Sequence, residues 1–172
     1  VEQREPPGTL DALQTGLAAA WDGRSCVSVL LGDNVPAVEA LKKGTSQSVD
    51  KSIFFSSRSI RPGSSMCIVR DTQGVPVGFT SGNVSPPESE VCHGLYFYPP
   101  QVVEWLASLV RPSELDEWSL DLANAELLAN GRVDIVSVRE RWVHINDAAD
   151  RDDAERTLLA DPSAINDDTM DW

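Results

Sequence analysis

Cys92 and His93 form the one adjacent thiol–imidazole pair in the chain, in a stretch that reads as a long loop. A catalytic thiolate needs a base within hydrogen-bond reach, and chain neighbours rarely supply that geometry. His144 is the only other histidine, and it falls in a stretch that reads as strand. A lone cysteine ordinarily packs as a small hydrophobe. An enzyme with a site near Cys92, His93 and Tyr96 is therefore one reading of the sequence, and nucleophilic catalysis is not the favoured one.

Other chemistries have less support. Zinc sites want several Cys or His at short spacing, and the chain has neither CxxC nor HxxxH. Carboxylates abound, but no DxDxDG loop groups them as a calcium site requires. GxxxxGK[ST] and GxGxxG are both absent, so no phosphate cradle is indicated. Apart from Lys42-Lys43 no basic cluster exists, which argues against direct nucleic-acid binding. The sequence thus assigns no catalytic residue, no metal ligand and no cofactor.

Charge is the strongest compositional fact. The formal net charge is −13 over 172 residues, and residues 147–172 alone carry nine acids against two arginines. Such a surface repels nucleic acid and anionic membrane and favours a basic partner. The expected partner-binding residues are Asp147, Asp150, Asp152, Asp153 and Glu155, with Glu88 and Glu90 from a neighbouring loop. Trp172 joins them as the apolar end of an acidic tail.

Length and composition predict one domain with a real core: residues 1–8 as an arm, 9–160 as the domain and 161–172 as the tail. No apolar run approaches the ~20 residues of a membrane helix. The N-terminus resembles no signal peptide, and three widely spaced cysteines do not make a disulfide framework. These features predict a cytoplasmic protein.

Residues 95–110, LYFYPPQVVEWLASLV, join the densest aromatic run to the clearest amphipathic helix. Aromatic residues fit a pleated surface, and proline is accepted in the first turn of a helix. Val102, Val103, Leu106, Leu109 and Val110 recur on one helical face. Upstream, Thr9 can cap a helix running to Gly23, and residues 25–31 read as a strand closed by the Gly32-Asp33-Asn34 turn. Pro36 opens a short helix that Gly44 closes. Strands are expected over 52–60, 65–70 and 75–80, the last two as a hairpin with Pro76 at an edge or bulge.

Residues 81–94 read as a long loop, and Ser113 with Asp116 as a capping box starting a helix that ends near Gly131. A long strand over 132–145 and an acidic helix over 147–160 complete the order. Elements in this sequence imply an α+β fold with an antiparallel or mixed sheet of about five or six strands. Trp21, Trp105, Trp118 and Trp142 are read as core residues.

Charge and missing motifs favour a non-enzymatic acidic binding protein of the immunity or inhibitor type, which neutralises a basic toxin or nucleic-acid-binding enzyme. A structural or assembly subunit docking through its termini is the alternative, followed by the enzyme near Cys92 and His93.

Overall fold

A computed structural model describes residues 8–36, 38–46, 50–59, 66–81, 89–138, 142–145 and 148–160. Thirteen elements follow one another: α1 (Thr9–Ala20), β1 (Val27–Leu30), β2 (Asn34–Val35), α2 (Val38–Ser46), β3 (Ser52–Ser59), β4 (Met66–Arg70), β5 (Pro76–Ser81), β6 (Ser89–Tyr98), α3 (Pro100–Ser108), α4 (Leu120–Ala129), β7 (Val133–Ser137), β8 (Val143–His144) and α5 (Ala148–Ala160). The fold is α+β in a single domain, as the element order predicts.

β6 is the spine of a six-stranded mixed sheet ordered β5-β4-β6-β3-β7. β3 runs antiparallel along one edge of it, and β7 lies parallel to β3. Its other edge is shared. β1 pairs with Leu95–Tyr98, and β4 takes over at Val91. β2 and β8 form a separate two-stranded ladder.

Side chains alternate across the sheet and bury both faces. One face carries Phe54, Cys92, Tyr96 and Tyr98 beneath Leu10 and Leu17 of α1, Val102, Val103 and Leu106 of α3, and Leu120, Leu127 and Leu128 of α4. The opposite face packs Ile53, Phe55, Leu95 and Phe97 against Ala40 of α2. Tyr98 Oη donates to Asn124 Oδ1 at 2.8 Å, which satisfies a phenol with no access to water.

Several boundaries depart from the sequence reading. The expected loop over 81–94 is strand from Ser89 onward; its first part, with Glu88, lies outside the described residues. The α3 helix ends at Ser108, so Val110 is 86% exposed rather than on the apolar face. The helix expected from Ser113 begins only at Leu120, capped by Ser119, whose hydroxyl accepts from the Asp121 amide. Thr9 does not cap its own helix: Gly8 is the cap residue, and Thr9 Oγ1 accepts from the Leu120 amide, tying α1 to α4. Residues 1–7 and 161–172, the expected arm and tail, lie outside the described residues. Among the described residues no helix is long and apolar enough to cross a membrane.

Candidate functional site

The sheet divides at residues 92–94. β1 approaches β6 from one end and stops with Leu30 opposite Leu95; β4 begins with Cys67 opposite Val91. On the other edge, Phe54 pairs with Tyr96 but Ser56 pairs with Cys92, so Phe55 alone faces the three residues 93–95. β6 therefore bulges at Gly94, and bulges of this kind re-aim side chains and cluster beside active sites.

The chain leaving β1 closes over this bulge. Gly94 O accepts from the Leu31 amide at 2.8 Å, and Leu31 O accepts from the Asn34 amide at 3.1 Å. Asn34 is buried, and its side chain organises everything around it. Its Oδ1 accepts from the Gly94 amide at 3.2 Å and from Trp142 Nε1 at 2.8 Å. Its Nδ2 donates to Asp33 Oδ1 at 2.7 Å. Asp33 O accepts from the Ile145 amide at 2.7 Å, which fastens the turn to the end of β8. A glycine is required at 94 because a Cβ there would stand 2.6 Å from Asn34 Nδ2 and 2.9 Å from Leu31 Cβ.

The result is an exposed carboxylate on a turn held from four sides. Asp33 has one oxygen held by Asn34 and the rest of its acceptor capacity facing outward, suited to hydroxyl or amide donors of a ligand. His93, 3% exposed, stacks on Trp142 with centroids 4.3 Å apart and planes 7° from parallel. His93 Nε2 also shares a 2.7 Å hydrogen bond with Ser57 Oγ. Imidazole and indole thus brace one another, and the half-buried indole reaches Asn34 from the opposite side. Among the described residues no group of three or more His, Cys, Asp or Glu is arranged to hold a metal ion.

Only His93 of the thiol–imidazole pair belongs here. Successive strand residues point to opposite faces, so Cys92 and Tyr96 enter the core beneath the helices while His93 faces Trp142. Burial pushes the Cys92 thiol far above its ordinary range, and the nearby Asp121 and Glu90 carboxylates push it further. A neutral buried thiol is no nucleophile, so an enzyme built on Cys92 does not fit the structure.

Of the acids expected to bind a partner, Glu90 stands on β6 and Asp150, Asp152 and Glu155 on α5. Glu90 is bound within its own sheet: Arg70 Nε donates to its Oε2 at 2.8 Å, Arg70 Nη2 and Ser56 Oγ to its Oε1 at 3.0 and 2.7 Å. Asp152 and Glu155 are exposed on α5, where Asp152 pairs with Arg151, and Asp150 is half-buried on the same helix. Asp147, Trp172 and the Asp153 side chain lie outside the described residues.

Glu90 carries a pH prediction. Partial burial raises its carboxyl pKa, but the hydrogen bonds from Arg70 and Ser56 outweigh that, and the net shift is below the ordinary 4.5. A carboxyl lowered by folding stabilises the native state above its unfolded pKa and loses that contribution as pH falls through its folded one. Urea midpoints of wild type and Glu90→Gln should therefore differ at pH 7 and converge as pH is lowered through and beyond the ordinary carboxylate range. A gap that stays constant across that range would remove the ionised pair from the account.

Sequence reasoning missed Asp33, Asn34 and Trp142 as a unit, taking the first two for an ordinary turn and the third for core. Gly94 was the available signal, since a glycine inside a strand marks a bulge or a close backbone approach.

No protein-family model and no curated protein matches the chain. Solved structures do. A structure assigned as a glucose-1-phosphate thymidylyltransferase from Bacillus anthracis, in complex with sucrose, matches 90% of this chain with a TM-score of 0.72 at 18% identity. HddC from Yersinia pseudotuberculosis, complexed with GMP-PN, matches 92% with a TM-score of 0.64 at 13% identity. The chain spans 62% and 65% of the lengths of these two proteins. Similarity at such identities establishes the fold. It runs against the expectation of a non-enzymatic immunity or inhibitor protein, because nearly the whole chain shares the fold of these two proteins. Net charge misled because it reports on solubility and association, not on fold.

Proposed function

We propose that this chain is the sugar-phosphate-binding part of a nucleotidyltransferase, and that its ligand sits against the Leu31–Asn34 turn at the bulge of β6. The observation that carries the reading is the Asp33 carboxylate, exposed at the carboxyl end of β1 and oriented by Asn34. In open sheets ligands settle outside the carboxyl ends of strands, where neighbouring strands diverge. Here β1 and β4 separate along β6 at that point.

The sugar end of such a substrate is favoured over the nucleotide end. A carboxylate accepts hydrogen bonds from sugar hydroxyls but repels phosphate oxygens, and the described residues contain no glycine-rich phosphate cradle. The half-buried Trp142 indole beside the turn adds an apolar ring surface of the kind sugars pack on. Sucrose in the thymidylyltransferase structure is consistent with a sugar-accepting fold.

Calorimetric titration with glucose-1-phosphate, inorganic phosphate and a nucleotide sugar tests the reading. Saturable binding of the two sugar-containing ligands is expected, with phosphate alone much weaker. Asp33→Asn should weaken that binding by roughly 10- to 100-fold, the cost of losing charged hydrogen bonds of about 1.5–3 kcal/mol. Binding that ignores Asp33→Asn, or no binding of any sugar phosphate, would overturn it.

A further inference from the structure

The Leu31–Asn34 turn offers a ligand acceptors and spends its donors on itself. The Leu31, Asn34, Gly94 and Ile145 amides and Trp142 Nε1 each donate within the chain. Asn34 Nδ2 donates to Asp33 Oδ1, which fixes the carboxylate without neutralising it. Asp33 takes part in none of the ion pairs among the described residues, whose cations serve Asp11, Asp22, Glu90, Asp134 and Asp152. It is thus an exposed negative charge, fixed in direction and paired with no cation of the described residues.

A sugar hydroxyl matches such a group only in part. It donates one hydrogen bond, and its lone pairs are left to water. An ammonium has three donors and no acceptor, and its bond to a carboxylate is charged on both sides. Trp142 adds to the same preference. Its half-buried indole bonds to Oδ1 of the side-chain amide whose Nδ2 holds Asp33, so ring and carboxylate flank one group. Indole is the aromatic surface that attracts cations most strongly. The net charge of −13 acts in the same direction, because it repels a sugar phosphate less when the sugar carries a positive amine.

We propose that the group seated on Asp33 is a protonated amine, and that the ligands of this site are amino-sugar phosphates. This rests on the reading that the turn binds a sugar phosphate, and narrows that reading to sugars bearing a free amino group. Asp33 supplies the charge, Asn34 its direction and Trp142 the ring beside it.

Glucosamine 1-phosphate, glucose 1-phosphate and N-acetylglucosamine 1-phosphate differ at a single carbon, and calorimetric titration of the intact chain with each tests the assignment. The free amine should bind roughly 3- to 10-fold more tightly than the hydroxyl, the worth of an exposed charge pair assisted by a ring. Capping the amine with an acetyl group should abolish the advantage, as should raising the pH through the amine's own pKa. Asp33→Asn should bring the glucosamine and glucose compounds to equal affinity, while its amide oxygen still accepts from Asn34 and keeps the turn. Equal binding of both by the wild type, with Asp33→Asn weakening each, would overturn the amine and leave the sugar-phosphate reading standing. Binding of no sugar phosphate would overturn both. A preference that survives Asp33→Asn belongs to the overall charge of the chain and would overturn the assignment as well.

Discussion

Gly94→Ala should lose sugar-phosphate binding and destabilise the chain by about 2–4 kcal/mol, combining overpacking with the unsatisfied donors it creates. The added methyl would stand within 3 Å of the Asn34 amide and of Leu31 Cβ. One of them must move. If Asn34 rotates away, the Gly94 amide and Trp142 Nε1 lose their shared acceptor, and Asp33 loses the donor that orients it. Gly78→Ala provides the comparison, because Gly78 also lies within a strand but a Cβ there meets nothing within 4 Å. That variant should be neutral or slightly more stable, within about 1 kcal/mol, through reduced freedom of the unfolded chain. Urea denaturation of the pair separates the loss of a glycine from the loss of the Asn34 network. Equal behaviour of the two variants would show that the network is not what position 94 protects.

Phe54→Ala has the largest expected effect on stability, about 3–5 kcal/mol for a fully buried aromatic. Phe54 has no exposed surface and lies against three rings: Tyr96 at 4.9 Å, Tyr98 at 6.1 Å and Phe79 at 6.5 Å. The Tyr96 and Tyr98 contacts are edge-on, the geometry in which ring quadrupoles attract. Native domains are stable by only about 5–15 kcal/mol, so this one truncation removes a large fraction. Its position matters as well as its size, because Phe54 is the last regular pair before the bulge in β6. Thermal unfolding should show a cooperative transition displaced well below that of Arg58→Ala, an exposed position on the same strand. A displacement no greater than that control would mean the ring cluster does not hold β3 on β6.

The class of fold was legible because it rests on local pattern. Residues 95–108 alternate into strand and then repeat at helical spacing, and β6 and α3 occupy that stretch. Pro76 stands on the edge strand β5, where the register slips: Val69 pairs with Gly78 but Arg70 with Pro76, which leaves Val77 as the extra residue. The site was not legible, because it is made by pairs far apart in sequence. Asn34 and Trp142 are separated by 108 positions, Asn34 and Gly94 by 60, and no local spacing encodes either contact. The adjacent Cys92 and His93 drew attention by proximity, yet the strand sends them to opposite faces. Glu90, read as a partner-binding acid, pairs in the fold with Arg70, twenty positions away, a contact that no local spacing announces.

The Trp142 indole proton tests the central claim most directly. It is hydrogen-bonded to the residue that orients Asp33, so its resonance should report ligand at the turn. Titration of the isotopically labelled chain with glucose-1-phosphate should move the Trp142 indole and Gly94 amide signals together and saturably. The Trp105 indole, on α3, should not follow them, and Asp33→Asn should suppress the movement. If Trp142 and Gly94 stay in place while other signals saturate, the ligand binds elsewhere and the turn is not the site.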